Sequence, residues 1–119
     1  MSSRIRKILV TGGAGFIGSE FVQQAVQKGY HLIVVDKLTY AGDLQRLKEV
    51  KGKFQFYKTD IAHKPSLDKI FSQHKPTIIV NFAAETHVDR SIMDVGPFIQ
   101  TNVIGVQNLI DLTRTYQVQ

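Results

Sequence analysis

Three features of the chain predict an α/β domain built on a parallel sheet in the strand order 3-2-1-4. Short apolar runs alternate four times with segments of helical periodicity. The first run breaks into Gly12-Gly13-Ala14-Gly15 and restarts as a helix. The second run is apolar on both faces, as a central parallel strand should be, and ends in a carboxylate, Asp36.

Each element follows from its residues. The first strand is residues 8–10, after the basic start Arg4, Arg6 and Lys7. The first helix carries Ile17, Phe21 and Ala25 on one stripe, with Val22 and Val26 beside it, and Gly29 ends it. The second strand covers 31–36. A short helix is expected over 44–50, with Asp43 as its cap. Lys51-Gly52-Lys53 turns the chain into a third strand over 54–58. Pro65 opens a helix with Leu67, Ile70, Phe71 and His74 on one face. The fourth strand, 77–80, ends at Asn81, and a loop leads to a last helix that Pro97 starts. That helix has Ile99, Val103, Val106 and Ile110 on one stripe and Phe98, Leu109 and Leu112 on another. Being apolar over more than one face, it is expected to be covered by something besides its own sheet.

The pattern reads β-α-β-α-β-α-β-α, and right-handed crossovers give the order 3-2-1-4. It stops after the helix that follows the fourth strand. That strand is expected to keep an unpaired edge, and residues 1–119 are expected to be a truncated part of a longer protein.

Gly12, Gly15 and Gly18 are spaced Gly-x-x-Gly-x-x-Gly between strand and helix. The first permits the tight turn, the second leaves room for a pyrophosphate against the backbone, and the third lets helix and sheet approach closely. The helix start, with Phe16 and Ile17 in its first turn, would turn unpaired amides and the positive dipole end toward the phosphates. Asp36 follows Gly18 by 18 residues. Its carboxylate can accept from both hydroxyls of the adenosine ribose and would repel a 2′-phosphate. This predicts a Rossmann-type domain that binds NAD rather than NADP.

Composition narrows the alternatives. The chain has 119 residues, 43% hydrophobic and 21% charged, ordinary values for one globular domain. It holds no cysteine, which removes disulfide and thiol chemistry. No stretch has the length of a membrane span and the first strand is too short for a signal peptide, so a cytoplasmic protein is expected. The net charge of +5 comes from scattered lysines and arginines, without a basic helix face interleaved with aromatics, so no nucleic acid is expected as a partner. His31, His63 and His74 are dispersed, and no metal site is expected.

Four stretches carry a resemblance to a known family. Residues 11–19 read TGGAGFIGS, 36–42 DKLTYAG, 81–92 NFAAETHVDRSI and 96–102 GPFIQTN. The chain resembles the extended short-chain dehydrogenases/reductases, and within them the dTDP-glucose 4,6-dehydratases. The first stretch is shared by many sugar-nucleotide epimerases and dehydratases; the second and third are narrower. The resemblance covers nearly the whole chain but only the cofactor-binding third of the family's length. It implies that Asp36 holds the adenosine ribose, with Lys37, Thr39 and Gly42 lining that end of NAD. Asp60 and Ile61 would flank the adenine, the Asp60 carboxylate accepting from the exocyclic amine; the alternative is that Asp60 caps the following loop. Phe82, Ala83, Ala84 and Glu85 would run under the pyrophosphate and nicotinamide ribose, although the two alanines could also serve packing alone. Thr86 and His87 are similar to the family's substrate-facing pair, with threonine where serine is more usual. Asp89 and Arg90 could equally be a structural ion pair. Asn102 would support the site from the last helix.

The resemblance further implies an internal redox cycle on dTDP-glucose in deoxysugar biosynthesis, giving dTDP-4-keto-6-deoxyglucose. Hydride leaves C4 for NAD, water is eliminated across C5 and C6, and the hydride returns to C6. Such chemistry uses a Tyr-x-x-x-Lys pair, the lysine lowering the tyrosine pKa, and an acid/base group for the elimination. Tyr30, Tyr40, Tyr57 and Tyr116 have no lysine four residues on, so no catalytic residue is assigned and the chain alone is expected to bind NAD without turnover. The last helix would serve a homodimer, as in the family. Two other readings remain open: a stand-alone, non-catalytic dinucleotide-binding or assembly module, and part of a related nucleotide-sugar epimerase or decarboxylase.

Overall fold

The computed structural model describes residues 6–38, 43–83, 100–116 and 118. Strands β1 (Lys7–Thr11), β2 (His31–Asp36), β3 (Gln55–Lys58) and β4 (Ile78–Asn81) form one sheet in the order β3-β2-β1-β4. All pairings are parallel, with Lys7 opposite His31, Asp36 opposite Lys58 and Thr11 opposite Asn81. The strand tips carrying the glycine turn, Asp36 and Asn81 therefore lie along one end of the sheet.

Two layers cover it. On one face, helix α1 (Phe16–Gln27) and a 3₁₀ helix (Leu44–Val50) bury Ile8, Val10, Leu32 and Val34 beneath Val22, Ala25, Leu47 and Val50. On the other, helix α2 (Lys64–His74) and helix α3 (Val106–Thr115) pack Leu67, Ile70, Phe71, Leu109 and Leu112 over Leu9, Ile33 and Val35. The alternation of strand side chains sends even positions of β1 and β2 to one layer and odd positions to the other. Asp43 caps the 3₁₀ helix, its Oδ1 accepting from Gln45 N at 2.9 Å. Leu67, Ile70, Phe71 and His74 are all buried, as the spacing on α2 predicts.

Helix α1 corrects the predicted stripe. The buried positions are Gly18, Ser19, Val22 and Ala25, while Phe16 and Ile17 are 82% and 69% exposed. The contact of Gly18 with the glycine turn fixes the helix rotation, and that turns Ile17 away from the sheet. The last helix divides as its composition suggests. Leu109 and Leu112 are buried, whereas Val103 and Ile110 are more than half exposed. It opens with a wider π-type turn, Gln100–Gly105; Pro97, Phe98 and Ile99 lie outside the described residues.

Two polar contacts secure the α2 layer. The Tyr57 hydroxyl and His74 Nε2 lie 2.6 Å apart, and burial, then His31 and Lys7, hold the His74 pKa below its ordinary value of 6.5. Tyr116 packs its ring on Phe71, centroids 5.8 Å apart, and donates its hydroxyl to Asp68. That hydrogen bond raises the Tyr116 pKa, opposite to the lowering a tyrosine base requires. Among the described residues, no helix is long and apolar enough to cross a membrane.

Candidate functional site

The site begins where β1 runs out. Gly12 N donates to Val35 O at 2.7 Å and Gly15 N to Gly12 O at 3.1 Å, which turns the chain sharply at the strand tip. Gly12 has φ +69°, and a side-chain carbon there would lie 2.6 Å from Ala83 N and the Phe82 carbonyl carbon. A side-chain carbon on Gly18 would overlap the Gly12 carbonyl oxygen. The turn is thus pressed between β4's exit and the first turn of α1. Gly15 is the N-cap of α1 and offers no side chain to its amides, leaving that end of the helix open to an anion.

Ala14 sits at the centre of the turn with its peptide group fully engaged. Its N–H donates to Asp36 Oδ2 at 2.9 Å, and its carbonyl accepts from Asp43 N at 2.9 Å and Arg46 Nη1 at 3.0 Å. Gln23 on α1 in turn donates to Arg46 O at 2.7 Å. The other Asp36 oxygen, Oδ1, accepts from Leu38 N at 2.7 Å, and Leu38 adopts a left-handed backbone with φ 59°. The carboxylate is 8% exposed and aimed by two backbone donors. An ionised carboxylate has about four lone-pair sites, so each oxygen keeps one for a further donor.

Asp60 lies one strand over. Thr59 N donates to Asp36 O at 3.1 Å, which sets the tips of β2 and β3 side by side. Asp60 does cap its loop: Oδ1 accepts from Ala62 N at 2.9 Å and its carbonyl from His63 N at 2.9 Å. Its Oδ2 is 3.5 Å from Lys37 Nζ. Ile61 is buried, and its carbonyl accepts from Asn108 Nδ2 at 2.9 Å, a tie from α3 to this loop.

At the other side of the turn, Thr11 donates its hydroxyl to Asn81 Oδ1, which also accepts from Ala83 N at 3.0 Å. Phe82 N donates to Thr11 O at 2.9 Å, and the Phe82 ring packs on Phe21 with centroids 5.6 Å apart. Phe16, Ile17, Glu20, Phe21, Gln24 and Phe82 line an open apolar groove there.

The structure therefore brings Gly12, Gly15, Phe16, Ile17, Gly18, Asp36, Lys37, Asp60, Ile61, Phe82 and Ala83 to one end of the sheet. Thr39, Gly42, Ala84, Glu85, Thr86 and His87, with Asp89 and Arg90, lie outside the described residues. Asn102 falls in the π-type turn, and its side chain is likewise outside the description. Sequence reasoning passed over Arg46 and Asn108. Asn108 had a signal, a polar residue immediately before the apolar pair Leu109 and Leu112 on the buried side of its helix. Arg46 had none, since its partner is a backbone carbonyl.

The fold and this turn define a Rossmann-type α/β domain. The chain belongs to the GDP-mannose 4,6 dehydratase family, whose model matches residues 9–119. It is 48% identical over 118 residues to the dTDP-glucose 4,6-dehydratase of Neisseria meningitidis serogroup B, covering 97% of this chain and 33% of that protein. The crystal structure of the Bacillus anthracis dTDP-glucose 4,6-dehydratase in complex with NAD superimposes with a TM-score of 0.80 at 41% identity, over 93% of this chain and 34% of that one. The UDP-glucose 4-epimerase of Thermotoga maritima, crystallised with UDP-glucose, gives 0.87 at 37% identity, over 94% and 35%. The chain thus spans about a third of the length of the relatives it matches.

Proposed function

We propose that this chain is the NAD-binding part of a dTDP-glucose 4,6-dehydratase. The observation that carries the reading is the Asp36 carboxylate, fixed by Ala14 N and Leu38 N beside a glycine turn too tight for side chains. The residues present fit a dinucleotide. Asp36 would hold the adenosine ribose, with Lys37, Thr39 and Gly42 along that end and Asp60 and Ile61 at the adenine. Gly12, Gly15, Phe16, Ile17 and Gly18 would present backbone amides and the dipole of α1 to the pyrophosphate. Phe82, Ala83, Ala84, Glu85 and Asn102 would line the remainder, and Thr86 and His87 would face the nucleotide sugar. When bound, NAD supplies a hydride acceptor that can also return the hydride. This chain's own residues orient it and exclude a 2′-phosphate. The NAD complexes among the structural neighbours and the identity to dTDP-glucose 4,6-dehydratases support the reading. No Tyr-x-x-x-Lys pair occurs in the sequence, so the chain by itself holds NAD without turning substrate over.

Calorimetric titration with NADH tests this. Binding is expected, and Asp36→Ala should weaken it by about 1.5–3 kcal/mol for each charge-assisted ribose hydrogen bond lost. An absence of binding, or an Asp36→Ala protein that binds as the parent does, would overturn the cofactor assignment. The exposed Val103 and Ile110 on the last helix support a homodimer through that surface, and a cytoplasmic location accords with the lack of cysteine.

A further inference from the structure

The Lys37–Asp60 pair reaches across the adenosine end of the site, and nothing in the fold requires it. Asp60 already fulfils its loop-capping duty through Oδ1 and its carbonyl, so its Oδ2 is available to draw the Lys37 ammonium to 3.5 Å. Both side chains are a little over one-third exposed, so the pair contributes little to stability. Its effect is on position. Lys37 follows Asp36 directly and is the cation next to the carboxylate that faces the ribose. The hydrogen bond of Thr59 N to Asp36 O puts the tips of β2 and β3 in register, so Lys37 is led toward β3 and along Asp60.

We propose that Asp60 is a specificity-determining residue for the dinucleotide: by holding Lys37 it withholds the one cation adjoining Asp36 from a 2′-phosphate. The inference rests on the NAD-site reading above and deepens it. In the native corner Asp36, Lys37 and Asp60 sum to one negative charge, with the positive group engaged. Discrimination against NADP thus has two sources, the direct repulsion by Asp36 and the sequestration of Lys37. Removing the Asp60 charge frees Lys37 and neutralises the corner while Asp36 stays in place. Asparagine preserves an oxygen for Ala62 N and for an adenine amine, so any change in adenine contact affects both dinucleotides alike and cancels in their ratio.

The test is the ratio of NADPH to NADH affinity, measured by fluorescence titration at low ionic strength on the parent protein, Asp60→Asn and the double variant Lys37→Met/Asp60→Asn. Asp60→Asn is expected to raise the ratio by about three- to tenfold, the scale of one unit charge acting on a phosphate across a wet surface. The double variant should return the ratio to near the parent's value. An unchanged ratio in Asp60→Asn would overturn the proposal, and so would an increase that survives the loss of Lys37. A parent protein that binds neither dinucleotide would overturn the site reading itself, and the inference with it.

Discussion

The centre of the sheet and its β4 side are finished differently. Leu9, Val10, Leu32, Ile33, Val34 and Val35 have no exposed surface, and the loops at their tips bond to one another through Ala14, Asp36, Asp43 and Arg46. Along β4, Ile78, Ile79 and Val80 are only half-buried, and Phe16, Ile17, Val103 and Ile110 stand exposed nearby in sequence or space. The first region organises itself from its own backbone and needs no ligand to hold its geometry, so a dinucleotide entering it meets little ordering cost at the adenosine end. The second has apolar surface without a local partner among the described residues. A site preformed at one end and open at the other is what the comparison teaches.

The contrast can be broken most directly by truncating side chains on each side. Phe71→Ala, in the closed core under Tyr116, should cost about 3–5 kcal/mol in denaturant unfolding. Phe16→Ala, of similar chemistry but 82% exposed, should stay within about 0.5 kcal/mol. Comparable losses from the two would show that the open side is packed after all. A smaller effect sharpens the closed side. Gly18→Ala should destabilise by about 1–3 kcal/mol, because the added carbon must displace the Gly12 carbonyl. It should also weaken NADH binding; a variant with parental stability and affinity would contradict the tight turn.

The smallest expected effect is a pH dependence from His74. Its pKa is lowered in the folded state, first by burial and then by His31 and Lys7. The unfolded chain therefore takes up this proton at higher pH than the native one. Stability is full above the ordinary value of 6.5 and declines as pH falls through the interval below it. Unfolding midpoints between pH 5 and 8 should show this decline in the parent and a flatter profile in His74→Gln.

Most of the fold was legible because local signals agreed with tertiary demands. The apolar run of β2, the Pro65 helix start and the α2 stripe of Leu67, Ile70, Phe71 and His74 each state one period and one face. Helix α1 misled, since Ile17 fits the apolar stripe by spacing. Its rotation is set by Gly18 against Gly12, a contact that periodicity cannot register. In the site, Asp36 and the glycines could be read as types at spacings. The Arg46 and Asn108 ties could not, because each ends on a backbone carbonyl, and no sequence pattern distinguishes one carbonyl from another.

The glycine turn has a consequence for descent. Gly12 and Gly18 are required by the chain's own neighbours, the exit of β4 and the Gly12 carbonyl, before any ligand arrives. A descendant of this domain that ceased to bind a dinucleotide would still be held to both glycines by purifying selection on folding, while Asp36 would keep only its hold on Ala14 and Leu38. Across such a lineage, the spacing of glycines is a record of architecture, and the carboxylate at the tip of β2 is the more sensitive record of what the architecture is used for.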